Sequence, residues 1–411
     1  MRIPLALAAL ATGAAVAVAN APAAGAATAT AVSTGIDPVF TDSPLPPGDG
    51  GQLLGSEQVG PWTTWAFGMH RSEGTRDTPL LYSYDARSEK GWEEVALPPA
   101  GGRDSNNEIN DAAVVPGSAG EDAWLVGLAD LGADADVLTM HLSGGTWQTL
   151  RAPLPPKAES GGFSAVSALA ADDVWAVGWA EIVDSRVPDP RKPGGEIVTS
   201  HVEAVLEHWD GTAWRLADLP DAAGLTVSSL LTPAPGELWI GGWDADGDPA
   251  VRHLEDGAWT SADLPDLPGE YGELYGLTAG PDGTLWATGR SFAYDVDWQP
   301  DDNGDRALVL RRTGGTWERV ATPASAGRVD DIVVTAGGIT AVGERYDNHS
   351  GFLLRLRGDS WSTPALPPAG PGHRWFNGIS ADPDGRLTVV GATADAETPW
   401  IQQPLVLNGW S

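Results

Sequence analysis

The 411-residue chain has no cysteine, 3 Met, and only 24 Lys and Arg against 56 Asp and Glu, a formal net charge of −32. Each shortage removes a class of function. Without cysteine there is no disulfide framework, thiolate metal site, cysteine nucleophile or lipid-bearing cysteine anchor. The excess of acid excludes nucleic acid as a partner, because a phosphate backbone is bound by neutralising it with Lys and Arg. Long apolar runs are missing after the first residues, which leaves no candidate for a membrane anchor in the body of the chain. What is abundant is 52 Gly, 33 Pro and 19 Trp, against 6 Phe and 6 Tyr. High Gly and Pro with many Trp and little Met favour short strands and turns over helix bundles.

The N-terminus reads as an export signal over residues 1–26. Arg2 precedes an apolar stretch from Ile3 to Val18, and Ala24-Gly25-Ala26 offers the small residues that signal peptidase takes before Ala27. Residues 27–37 are expected to be a flexible linker and 38–411 a single folded domain, secreted and extracellular. A chain without cysteine suits an oxidising compartment, where nothing can mispair.

A repeat organises the rest. Short apolar runs end in Gly at Trp65–Gly68, Trp124–Gly127, Trp175–Gly178, Trp239–Gly242 and Trp286–Gly289, then at Thr340–Gly343 and Thr388–Gly391. These glycines recur every 47 to 64 residues. After each of the first six comes a Trp with Pro six positions on: Trp92/Pro98, Trp147/Pro153, Trp214/Pro220, Trp259/Pro265, Trp317/Pro323 and Trp361/Pro367. Gly-containing turns such as Asp210-Gly211 and Gly314-Gly315 precede most of these Trp, as tight hairpins require. Alternating runs fill the intervals, so each unit holds four strands, a to d. Small residues mark strand a (Gly55, Ala112, Ala168, Ser229, Gly276, Gly378), as expected where strands converge on an axis. Four-stranded units repeated radially make an all-β, seven-bladed β-propeller. The seventh unit stops at Ser411 without a strand d. Phe40 followed by Pro46 matches the Trp/Pro spacing, so the N-terminal segment is expected to complete the last blade and lock the ring.

The order of apolar strand, Gly-Gly, strand, hairpin, Trp and Leu-Pro, as in Trp239-Ile-Gly-Gly242, Trp259 and Leu264-Pro265, resembles kelch-type and galactose-oxidase-like propellers. The resemblance covers nearly the whole mature chain and implies a fold that hosts many functions. The copper–radical chemistry of galactose oxidase needs a tyrosine cross-linked to cysteine, which this chain does not have. The turn from Trp209 to Trp214 also resembles the Asp-box of sialidases, a scaffold element in that family.

His141, His208 and His253 each lie six before a strand-d Trp, where other units carry Arg311 and Arg355, and so read as a repeat position. Topology puts the b–c loops and d-to-next-a loops at one end. The b–c segments of blade three (Trp179 to His201) and blade five (Arg290 to Arg306) are expected to be long loops flanking a cleft over blade four. Trp179, Trp243, Trp298, Trp375 and Trp400 are assigned to loops of that face. With Tyr271, Tyr275, Asn377 and Arg328 they are the candidate ligand-binding residues, for an extracellular glycan or a secreted or surface protein. Glu108, Asp111, Asp330, Asp331 and His373 lie near the channel mouth. The simplest reading is a solvated acidic rim; the alternative is the acid and base of a hydrolase or lyase on carbohydrate or lactone. Calcium is the one cofactor suggested, by the alternating Asp244, Asp246 and Asp248, although no bidentate Glu follows at the right distance. The leading expectation is a secreted non-catalytic binding protein, with membership of a larger secreted assembly as a further alternative. Sequencing the N-terminus of the exported product should find Ala27; a product beginning at Met1 would refute the signal reading.

Overall fold

A computed structural model describes residues 39–48, 50–71, 77–100, 107–129, 137–192, 194–293, 305–345, 350–368, 372–398 and 401–410. The expected signal, the linker, Trp298 and Trp400 lie outside the described residues. Every element among them is a β-strand. The chain opens with β1 (Thr41–Asp42) and then lays down blade one as β2 (Gly51–Gln58), β3 (Thr63–His70), β4 (Thr78–Asp85) and β5 (Trp92–Glu94). Blade two is β6 (Asn107–Val114), β7 (Asp122–Ala129), β8 (Leu138–Ser143) and β9 (Thr146–Thr149). Blade three is β10 (Ala158–Ala170), β11 (Asp173–Pro188), β12 (Glu196–Trp209) and β13 (Trp214–Ala217). Blade four is β14 (Thr226–Ala234), β15 (Glu237–Trp243), β16 (Pro249–Glu255) and β17 (Ala258–Ser261). Blade five is β18 (Tyr271–Ala279), β19 (Leu285–Phe292), β20 (Arg306–Thr313) and β21 (Thr316–Arg319). Blade six is β22 (Arg328–Thr335), β23 (Gly338–Arg345), β24 (Ser350–Arg357) and β25 (Ser360–Ser362). Blade seven is β26 (Gly372–Ala381), β27 (Arg386–Asp395), β28 (Gln402–Trp410) and, from the other end of the chain, β1. The fold is a seven-bladed β-propeller.

Why the repeat carries a glycine is visible in the register. Every strand a has a bulge, at Leu54, Asn110, Ser164, Ser228, Tyr275, Asp330 and Asn377 in turn. The residue facing the bulge from strand b is the repeat glycine: Gly68, Gly127, Gly178, Gly242, Gly289, Gly343 or Gly391. A Cβ on any of them would overlap a strand-a carbonyl oxygen, such as that of Gln52 for Gly68 or Thr226 for Gly242. The extra residue draws the two backbones together, and only glycine fits beneath it.

The blades pack face to face through apolar clusters, one between each neighbouring pair. Between blades two and three, Trp124, Trp209 and Trp214 interlock with ring centroids 4.9 to 6.1 Å apart. Trp209 therefore belongs to the core. The three repeat histidines each stack on the strand-b Trp opposite, His141 on Trp124, His208 on Trp175 and His253 on Trp239, at 3.6 to 4.2 Å. Each also faces an acid two residues before that Trp: Asp122, Asp173 or Glu237.

The ring is closed as expected. Thr41 pairs with Asn408 and Asp42 with Leu407, antiparallel. The segment also reaches both neighbouring blades: Phe40 N–H donates to Ala365 O at 3.1 Å, and Trp92 Nε1 donates to Ser43 Oγ at 3.0 Å. Phe40 is buried, its ring so close to Gly409 that no Cβ would fit there. Phe40→Ala should cost about 3–5 kcal/mol. It should lower the melting temperature by several degrees, and trimming residues 28–47 should lower it further. Circular dichroism melts coinciding with wild type would show that the closure contributes nothing.

Candidate functional site

The aspartates expected on a solvated rim are buried inside it. Asp111, Asp330 and Asp331 are almost wholly excluded from solvent. Counted from the bulge, Asp111 and Asp331 occupy the position held by Gly55, Ala165, Ser229, Gly276 and Gly378 in the other blades. This corrects the assignment of Ala112 and Ala168 to that ring of small residues. Asp111 Oδ1 accepts Ala112 N–H and Oδ2 accepts Val166 N–H of the next blade, both at 2.8 Å. Asp331 does the same with Ile332 at 2.7 Å and Ile379 of the next blade at 2.8 Å. Burial pushes both carboxyls well above the usual range, against the pull of the N–H donors. The bulge residues add a second set of staples. Asn110 Nδ2 donates to Phe163 O at 2.8 Å, Ser228 Oγ to Leu274 O at 2.5 Å, and Asn377 Nδ2 to Leu53 O at 2.7 Å. Asp111, Asp331 and Asn377 thus tie blade two to three, six to seven and seven to one.

Two further carboxyls sit apart. Glu57 on β2 is buried, and burial followed by repulsion from Asp111 and Asp331 raises it well above the usual range. Glu108 lies near Arg71 and Asp77; burial pushes it up to about 7 despite the guanidinium.

At the mouth of the channel, blades five and six assemble a charged network. Tyr275 OH donates to Glu273 Oε2 at 2.5 Å, and Arg290 Nε donates to the same oxygen at 2.9 Å. Arg290 Nη1 reaches Asp305 Oδ2 at 3.1 Å. Across the blade boundary, Arg328 holds Asp330 through Nε at 2.9 Å and Glu344 through Nη2 at 3.0 Å. Burial raises Asp330 to about 6, with Arg328 opposing it. Trp243 meets Tyr275 edge to face at 6.1 Å. Of the sequence-derived candidates, the fold therefore brings together Trp243, Tyr275, Arg328 and Asp330. His373 and Trp375 form a separate pair on β26, 5.9 Å apart. Arg290 and Glu344 were not singled out as site residues by the sequence. Arg290 carried a signal, since it follows the bulge-facing Gly289 directly and so had to emerge at the mouth.

Three expected loops are strands instead. The b–c segment of blade three is a projecting hairpin: β11 runs to Pro188 and β12 starts at Glu196, paired from Val174–Trp209 out to Pro188–Glu196. Trp179 lies within β11, Trp243 is the last residue of β15, and Trp375 lies within β26. All three are half-buried. β-branched residues on both arms, such as Val183, Val187, Ile197, Val198 and Val202, keep the chain extended where a loop was expected. Val198 and Val202 are 42 % and 49 % exposed. They share their face of β12 with Ala204 and Leu206, which pack against blade four, so that face of the hairpin is turned towards blade four. In the β15–β16 turn of blade four, Asp244 Oδ1 accepts N–H groups from Asp246 and Asp248 at 3.0 and 3.1 Å, closing a tight turn. Among the described residues no group of three or more His, Asp or Glu is arranged to hold a metal ion. Tyr271, exposed, packs against Gly247 of this turn. The Asp-box-like turn is likewise self-contained: Asp210 accepts from Thr212 N and Ala213 N at 2.9 and 3.0 Å.

No protein-family model matches this sequence, and a search of curated proteins finds no match. Among solved structures, the chain is similar to the propeller protein YCF48 bound to a D1 peptide, at 15 % identity and a TM-score of 0.50, covering 91 % of this chain and 97 % of that one. It is also similar to YCF48 from Cyanidioschyzon merolae, at 14 % identity and a TM-score of 0.51, covering 90 % and 98 %. At these identities the likeness is one of fold.

One buried acid belongs to no network. Glu207 on β12 is 0 % exposed, and neither oxygen has a hydrogen-bond partner. It lies between Val205 and Trp209 on the strand face packed against blade two, and burial pushes it up to about 8. The folded state therefore holds a proton that the unfolded chain releases at its ordinary value, near 4.5. Stability falls as pH rises from there and levels off above about 8. Glu207→Gln should remove the fall, so that its melting advantage over wild type is larger at alkaline than at acid pH. Parallel melting-temperature profiles across that range would contradict this.

Proposed function

We propose that this is a secreted, non-catalytic binding protein that holds an extended segment of a partner protein at the b–c end of the propeller. The observation that carries the reading is the blade three hairpin. It projects past its own blade and presents Val198 and Val202 to solvent above blade four. Exposed apolar side chains on a hairpin are a usual site of protein contact. The hairpin bridges to Ala223 through Glu203, and the next residue, Gly224, lies against Ala245 of the Asp244–Asp248 turn. That turn adds Asp244, Asp246 and Asp248, and Glu181 pairs with Val202 on the hairpin, so the segment that fits is apolar and basic. Support for a scaffold without turnover comes from Asp111 and Asp331, whose carboxylate oxygens are engaged by backbone N–H groups. A protein of this fold has been seen with a bound peptide. Secretion rests on the signal-like residues 1–26.

A displayed library of random peptides, selected on the full chain, should enrich sequences that mix Val, Leu or Ile with Lys or Arg. The double substitution Val198→Ser and Val202→Ser should weaken the selected peptides by about tenfold, the loss of two partly buried apolar side chains. Peptides that bind both proteins equally would remove the hairpin from the site.

A further inference from the structure

Among the described residues, the network between blades five and six holds more carboxyls than guanidiniums. Its guanidiniums are Arg290 and Arg328, and its carboxyls are Glu273, Asp305, Asp330 and Glu344. The next cations along the same end, Arg306 and Arg319, are both committed to Glu270. Structural ion pairs normally approach neutrality, because a buried charge without a counterion lowers stability. Here the side chain of Asp305 is 5 % exposed. Its Oδ2 takes Arg290, while its Oδ1 is buried and has no hydrogen-bond partner among the described residues. Around it, Glu273, Arg290 and Arg328 keep 13 to 17 % of their side chains open to solvent.

We infer that this corner is a subsite for a lysine side chain of a bound protein, with Asp305 Oδ1 as its principal acceptor. The choice of an ammonium over a guanidinium follows from the acceptors. A guanidinium prefers two oxygens side by side, and the second oxygen of Asp305 is already occupied by Arg290. A compact ammonium needs single oxygens around it. Asp305 Oδ1 offers one, and the Tyr275 hydroxyl, which donates to Glu273, retains lone pairs to offer another. The inference rests on the b–c end being the binding face and adds the chemistry of one partner residue.

The test uses the full chain and a fluorescently labelled hexalysine peptide, titrated at physiological ionic strength. Hexalysine should bind saturably, and its Nε-acetylated form should not. Asp305→Asn should weaken hexalysine by about tenfold, the loss of one charge-assisted contact. Asp359→Asn changes the net charge equally at the exposed turn on the opposite end and should have less than about a twofold effect. Hexaarginine should bind wild type more weakly than hexalysine, a comparison that depends on no variant folding. The inference is overturned by absent saturation, by equal losses in the two variants, or by hexaarginine binding as tightly as hexalysine. Hexalysine binding kept by the Val198/Val202 variant while the selected peptides are lost is the expected result. Selected peptides that bind as described, with hexalysine indifferent to Asp305, would reject the subsite alone.

Discussion

The architecture depends on one close approach, repeated around the ring: a strand-b glycine lying against a bulge in strand a. Where Gly68 meets the bulge at Leu54, or Gly289 the bulge at Tyr275, a methyl group would collide with the neighbouring carbonyl oxygen. The bulge does more than bend the strand. It turns one side chain per blade away from the ladder, and the chain uses that freedom differently around the ring. At Asn110, Ser228 and Asn377 the freed side chain bonds to the next blade's backbone. At Tyr275 and Asp330 it joins the charged network at the mouth. Position within one repeated motif thus separates residues that tie one blade to the next from residues that build the charged network at the mouth.

The acidity of the protein has two parts with different physics. Exposed carboxylates at turns are solvated and weakly coupled. The inner carboxyls are few and strongly perturbed, and they divide again. Asp111 and Asp331 are satisfied by paired backbone donors and stiffen the channel wall. Asp305 and Glu57 each retain an oxygen with no hydrogen-bond partner among the described residues. The apolar blade three hairpin and the acidic mouth lie at the same end of the propeller.

Much of the fold was legible because the features that define it are periodic. The glycine–bulge pair, the Trp/Pro spacing, the histidine that stacks on a strand-b Trp and the closing role of Phe40 all repeat or complete a repeat. The site was less legible because it lies where the repeat is broken. The long segment after Trp179 reads as a loop by its Pro and Gly, yet its β-branched residues pair across a hairpin. Asp111 reads as a rim carboxylate, and only the register of β6 against β7 turns it inward. Glu207 could have been noticed from the alternation Val205-Leu-Glu-His-Trp209, which puts it on the same face as two core residues. The pairing of Arg290 with Asp305 depends on residues brought together across a sheet, which no spacing reveals.

The pairing of Thr41 with Asn408 has a consequence in time as well as in space. The first described strand belongs beside residues synthesised long after it, so it must wait unpaired while the other blades appear. Blade seven is incomplete for as long as either end is missing, and its long-range pairing makes closure a late, slow event. A growing chain therefore remains an open arc, and the closed ring becomes available only once β1 and β28 are both present.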